Sequence, residues 1–145
     1  MSIRENNPDK SAPRPASCAT EAIPKTRLAG PKTRLAGTIG VLALQGGFGL
    51  HLKTLEQLGC GSREVRNPGD LESVTGLIIP GGESTTVGKL LVSSGLDKAI
   101  IARHASGGLA VFGTCMGAII IAKRIENADQ FTLGLLDATL RRNSY

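Results

Sequence analysis

The longest uninterrupted apolar run that opens the ordered pattern is Thr38-Ile-Gly-Val-Leu-Ala-Leu44. Its length suits a strand, and its lack of alternation suits a strand covered on both faces. A glycine-rich turn, Gln45-Gly-Gly-Phe-Gly49, follows it. Leu52, Leu55 and Leu58 then recur on one helical face over residues 50–58, with Gly59 in the C-cap position. Ser62–Val65 reads as a short second strand, Asn67–Asp70 as a turn, and Leu71–Val74 as a short helical segment. Thr75–Ile79 is a third buried strand that ends at a second sharp turn, Pro80-Gly-Gly-Glu-Ser84. The pattern predicts helices over Thr85–Ser94 and Leu96–Ala105, then a strand over Leu109–Phe112. A turn centred on Cys115 leads into an apolar helix that starts near Met116 and reaches Ala122. Asn127–Gln130 reads as a loop, and Thr139–Arg142 as the start of another strand. This alternation predicts an α/β fold, a doubly wound and mostly parallel sheet. Ligands bind such sheets at the carboxyl ends of the strands. The turns at Gln45, Gly81 and Cys115 all fall there.

The N-terminal stretch has a different character. Residues 1–23 are polar and broken by Pro8, Pro13 and Pro15, without periodicity. The heptapeptide Pro-Lys-Thr-Arg-Leu-Ala-Gly then occurs twice in tandem, at 24–30 and 31–37. Its period is far below that of a solenoid repeat, and Gly-Pro at the junction breaks any helix. The expected organisation is a disordered basic tail over 1–37 and a folded unit over 38–145. An organelle transit peptide is a weaker reading, because the tail keeps three acids and shows no amphipathic face.

Charge and composition narrow the function classes. The formal net charge is +5, but residues 1–37 carry seven Lys/Arg against three acids, and the rest carries ten against nine. The folded unit is therefore close to neutral and lacks the basic, aromatic-interleaved stripe of a nucleic-acid binder. No apolar run is long enough to span a bilayer, and no secretory h-region is evident. Cys18, Cys60 and Cys115 are odd in number and widely spaced, without metal-ligand spacing. A reducing, cytoplasmic setting is the expectation.

The candidate chemistry centres on Gly113-Thr-Cys-Met-Gly117. A cysteine between two glycines, after a strand and before a helix, is the thiol form of a nucleophile elbow. The helix N-terminus beside it favours thiolate over thiol. A buried core cysteine is the alternative, since free cysteine is among the most buried residue types. A thiol that attacks a carbonyl needs backbone N–H donors for the developing oxyanion. The Gly81-Gly82 turn and the amide of Met116 are candidates. Glu83 and Ser84 would add an acceptor and a hydroxyl for a polar, amino-bearing substrate. Alternatively, Ser84 caps the next helix and Glu83 complements its dipole.

Four segments together carry a specific resemblance: Gly40-Val-Leu-Ala-Leu-Gln-Gly46, Leu77-Ile-Ile-Pro-Gly-Gly-Glu-Ser-Thr-Thr86, Val111-Phe-Gly-Thr-Cys-Met-Gly117 and Leu140-Arg-Arg-Asn-Ser144. In order and without large gaps, they resemble the glutaminase subunit of pyridoxal 5'-phosphate synthase, a family of class I glutamine amidotransferases. The resemblance implies a flavodoxin-like sheet whose last strands belong to a later stretch. It implies Cys115 as the nucleophile that converts L-glutamine to a glutamyl thioester and ammonia. It places Gly82 and Met116 at the oxyanion hole, and Gly82, Glu83, Ser84 and Arg142 in contact with glutamine. No metal or cofactor is implied. The partner is a barrel-shaped synthase subunit in a hetero-oligomer. That subunit joins the ammonia to a pentose phosphate and a triose phosphate, with Gln45 and its glycine-rich turn close to it.

The sequence also departs from the family. Its triad is completed by a His and a Glu in a later stretch, past Tyr145. The only histidines here are His51 and His104, and neither matches the base. Met116 stands where a small residue is usual, and Gly47 and Gly49 where charged residues are common. Two readings follow: a glutaminase, or a docking module that binds the synthase without hydrolysing glutamine. An unrelated elbow hydrolase is a third and poorer one.

Overall fold

Ile39–Leu42 forms the central strand, β1, since its apolar side chains find cover on both faces. The remaining elements follow as α1 (Phe48–Gln57), β2 (Ser62–Val65), a 3₁₀ segment (Pro68–Ser73), β3 (Gly76–Ile79), α2 (Ser84–Ser94), α3 (Leu96–Ala105), β4 (Ala110–Gly113), α4 (Met116–Ile121), β5 (Ala122–Glu126) and β6 (Leu136–Arg141). The structure is a computed structural model and describes residues 37–126 and 128–141. The tail and tandem repeat up to residue 36, and Arg142, lie outside the described residues.

β1 to β4 form one parallel sheet in the order β2-β1-β3-β4. The chain steps from β1 outward to β2, returns past β1 to β3, and continues to β4. The switch point of this doubly wound sheet therefore lies between β1 and β3. On one face, Leu42, Leu77 and Ile79 meet Leu71 and Val74 of the 3₁₀ region, Val87 and Leu91 of α2, Leu96 and Ile100 of α3, and Met116 and Ile120 of α4. This is the main core. On the other face α1 packs against β1 and β2 through Leu55. The β3–β4 half of that face is open: Ile39, Ile78, Ala110 and Phe112 line an apolar groove of about 320 Å³ with Leu55 and Leu58.

The 3₁₀ segment covers both the predicted turn and the predicted helical stretch. Asn67 starts it with a capping box: its side chain accepts from the Asp70 amide, while Asp70 accepts from the Asn67 amide. The Arg66 amide bond to the Asp70 carboxylate is the chief reason its pKa lies below the ordinary value.

The largest departure from the pattern is β5. Ala-Lys-Arg-Ile-Glu is made mostly of strong helix formers, and the sequence offers no strand signal there. The helix nevertheless stops at Ile121, and residues 122–126 pair in parallel with β6 in a separate two-stranded sheet. The connecting loop is anchored by the Leu133 amide to the Ile120 carbonyl (2.7 Å) and the Leu135 amide to the Ile121 carbonyl (2.9 Å). Phe131 of this loop lies against Gly88 of α2, where a Cβ would come within 3.1 Å of the ring. Tertiary pairing thus overrides local propensity. β6 begins at Leu136, earlier than the Thr139 start that the sequence suggested.

Leu91 is fully buried, whereas its neighbour Val92 is 54% exposed. Leu91→Ala is expected to cost about 2–5 kcal/mol, and Val92→Ala no more than about 0.5 kcal/mol. Urea denaturation of the two variants beside the parent measures the difference.

Candidate active site at the strand ends

The carboxyl ends of β1, β3 and β4 are neighbours in the sheet, and their three turns meet there. Gly46 has a φ of +95°, and the place of its missing Cβ is taken by the Gly81 carbonyl. The Gly47 amide donates to that same carbonyl at 3.3 Å. A Cβ on Gly81 would lie 3.3 Å from Cys115 Cβ and 3.9 Å from its Sγ. A Cβ on Gly82 would lie 3.4 Å from Met116 Cε and 3.5 Å from Gly46 Cα. The glycine turns are therefore packed backbone against backbone, with the cysteine at their edge.

Cys115 occupies φ 52°, ψ −115°, the sole positive φ of a non-glycine among the described residues. Such a conformation costs about 1–3 kcal/mol and persists where packing over-determines it. Two glycines supply that packing. A side chain on Gly117 would collide with the Ile79 carbonyl, and one on Gly113 would collide with the backbone of Gly117 and Ala118. The Thr114 amide donates to the Ile79 carbonyl (3.0 Å), and the Gly117 amide to the Thr114 carbonyl (2.9 Å). The elbow is held from both sides, and the thiol at its apex is exposed. The alternative of a buried core cysteine is thereby excluded.

Met116 divides its functions. Its side chain is buried in the core. Its amide stands at the first position of α4, among the donors that a helix cannot satisfy internally. Neither the Met116 nor the Gly82 amide has a backbone acceptor among the described residues.

Glu83, not Ser84, caps α2. Its carboxylate accepts from the Thr85 amide at 2.9 Å and the Thr86 amide at 2.6 Å, and Ser84 is the first helical residue. The cap that the alternative reading gave to Ser84 thus falls to Glu83, whose side chain curls back over both amides from the extended position before the helix. Hydrogen bonding by the Thr86 side chain, then by the Thr85 and Thr86 amides, holds the Glu83 carboxyl down at about 2. A carboxylate has about four lone-pair sites, so these two amide bonds and the Thr86 side chain occupy most of them.

The two histidines are placed differently. His104 Nδ1 donates to the Leu109 carbonyl at 3.0 Å, at the opposite end of β4 from Cys115. His51, on α1, brings Nε2 within 3.2 Å of Thr114 Oγ1, next to the cysteine. His51 does not match the triad base, and its sequence position alone is that of a surface or partly buried helix residue. Among the described residues, no hydrogen bond joins either imidazole to Cys115, and no cluster of three His, Cys, Asp or Glu could hold a metal. An apolar pocket of about 430 Å³ between α2 and residues 129–131 does not include the thiol. No helix among the described residues is long and apolar enough to cross a membrane.

A parallel sheet of this order, with a strained cysteine elbow on the strand next to its switch point, defines a flavodoxin-like α/β protein of the amidotransferase type. A crystal structure of a glutamine amidotransferase superposes with a TM-score of 0.70 and 47% identity, over 74% of this chain and 57% of that one. The chain belongs to the SNO glutamine amidotransferase family, whose profile matches residues 41–145. It is 51% identical over 108 residues to the pyridoxal 5'-phosphate synthase subunit PdxT of Moorella thermoacetica. It is 51% identical over 113 residues to that of Deinococcus radiodurans. These matches take in 74% of this chain and 56% and 57% of the relatives, so the chain spans little more than half their length. A peptidase E protein of Listeria monocytogenes shares the fold alone, at 19% identity and a TM-score of 0.54.

Glu83 sets an acid limb for stability. Its folded pKa of about 2 lies below the ordinary 4.5, so its stabilisation is present above about pH 4.5 and is lost as pH falls towards 2. Glu83→Gln should flatten that part of the profile, seen as a smaller drop in Tm between pH 5 and pH 2.5 than in the parent.

Proposed function

We propose that this chain carries the nucleophile half of a glutaminase site that makes ammonia for pyridoxal 5'-phosphate synthesis. The observation that carries the reading is the meeting of the Cys115 elbow with the Gly81-Gly82 turn at the sheet's switch point. Family membership supports the same substrate class.

In this reading, Cys115 Sγ attacks the carboxamide carbon of L-glutamine. The carbonyl π electrons move onto oxygen, and the amides of Gly82 and Met116 stabilise that oxyanion. Collapse breaks the C–N bond, the nitrogen leaves as ammonia with the proton that the Cys115 thiol gave up, and a glutamyl thioester remains on Cys115. Water then cleaves the thioester to glutamate and restores the thiol. Glu83, ionised at any physiological pH, accepts from the substrate ammonium, and Ser84 offers its hydroxyl. Arg142 is assigned the substrate carboxylate. The ammonia is passed to a barrel-shaped synthase subunit that docks near Gln45 and the turn after it. Residues 38–145 form the amidotransferase portion, and residues 1–37 a basic tail outside it.

A second reading has its own observation. Neither histidine is bonded to the thiol, and a cysteine without a general base lacks the proton donor for the leaving ammonia. The chain would then be a docking module that engages the synthase and does not turn over glutamine.

Glutamate release from L-glutamine by the 145-residue chain, with and without the synthase subunit, separates the two. The glutaminase reading expects release that Cys115→Ala reduces to the uncatalysed background. Absence of release with retained co-sedimentation supports the docking module. Absence of both overturns the pair.

A further inference from the structure

We infer that His51 is a positioning residue that locks the glycine-rich turn after β1 to the cysteine elbow through the Thr114 hydroxyl. The inference rests on the reading of Cys115 as nucleophile. It starts from how α1 is held. Gly47 is the N-cap of α1 and provides no side-chain cap. The first turn of the helix is fixed instead by the Gly47 amide on the Gly81 carbonyl, the Leu50 amide on the Gly47 carbonyl (3.3 Å), and the His51 bond to Thr114. These contacts close a ring. From Gly47 the chain runs one helical turn to His51, across to Thr114, and on to Cys115. Cys115 packs on Gly81, whose carbonyl returns to Gly47.

Within that ring, His51 is the one side chain that crosses from α1 to the elbow by a hydrogen bond among the described residues. Thr114 is well placed to receive it. Its amide is tied to the end of β3 and its carbonyl to Gly117, so its backbone cannot follow a pull on the side chain. The imidazole is half-buried, where a hydrogen bond is better shielded than at the surface. A neutral imidazole can accept the threonine proton at Nε2, or donate to the hydroxyl in its other tautomer. Either tautomer therefore keeps the ring joined to the hydroxyl, and the contact holds α1 to the elbow in both. Its consequence is that Gly46 and Gly82, which touch across the crevice, keep one separation from Cys115. A glutamine-sized ligand meets an assembled site, whereas a small reagent needs the thiol alone.

The test reads Cys115 labelling in the 145-residue chain by mass spectrometry with two probes: 6-diazo-5-oxonorleucine, shaped like glutamine, and iodoacetamide. His51→Ala and Thr114→Val should each slow labelling by the first probe roughly five- to tenfold, the size of one lost hydrogen bond. The double variant should be no slower than either single one, and His51→Gln, with an amide nitrogen near the Nε2 position, should recover most of the rate. Iodoacetamide labelling should change less than about twofold, whereas general loosening would alter both probes together. Amide exchange over 45–49 and 114–117 should rise jointly in both single variants. Unchanged labelling by the glutamine-shaped probe, additive effects, or exchange that rises in one segment only would overturn the coupling. If the parent takes iodoacetamide but never the glutamine-shaped probe, the glutaminase reading fails, while the exchange data still decide whether His51 couples the two turns.

Discussion

The close approach of α4 to the end of β3 is the constraint on which the site depends. Gly117 lies against the Ile79 carbonyl, where no side chain fits, and Gly113 lies against Gly117 in turn. With the helix start pressed so near the strand end, one residue must turn between β4 and α4 in a conformation that disfavours a side chain. That residue is Cys115. The strain, the exposure of the thiol and its contact with Gly81 are thus a single geometric consequence. The same Ile79 carbonyl accepts from Thr114, so the acceptor that limits the approach also anchors the elbow.

The surroundings divide labour between backbone and side chains in an economical way. The crevice walls are glycine backbone, which brings amides close to where an oxyanion would form. The side chains near it mostly support the frame: Met116 fills the core, Glu83 caps α2, and His51 ties to Thr114. Glu83 is the clearest case of such support. The Thr86 side chain, together with the Thr85 and Thr86 amides, keeps the carboxylate ionised. The unequal cover of the sheet is a second feature of the frame. Parallel sheets are ordinarily covered on both faces, and here α1 shields only the β1–β2 half of its side. Phe112, 60% exposed on edge strand β4, marks the open half.

Much of this was legible in the chain itself, for definable reasons. The run at 38–44 lacks alternation because β1 is covered on both faces, whereas the equally apolar run at 75–79 leaves Ile78 of β3 on the open half of the sheet. Leu52 and Leu55 mark the packed side of α1, while Leu58, in line with them, lies past the helix end and is exposed. Gly113-Thr-Cys-Met-Gly117 announced an elbow because only glycines permit its two close approaches. Short-range patterns carry such information, since each reports a requirement met within a few residues. β5 was not legible, because Ala-Lys-Arg-Ile-Glu satisfies a helix locally and becomes a strand only by pairing with β6, across a loop seated on Gly88. The choice of Glu83 over Ser84 as cap was hidden for a related reason, since it depends on the extended backbone before α2.

The sequence by itself determined the order of elements, the parallel α/β class, the positions of the glycine turns and the identity of the thiol between them. The tertiary structure decided that β1, β3 and β4 lie side by side, so that turns some 35 residues apart along the chain become neighbours at the switch point. It also decided that His51 reaches Thr114 across 63 positions of sequence. Propensity and periodicity act along a few turns of backbone, whereas these contacts exist only after the sheet has chosen its strand order.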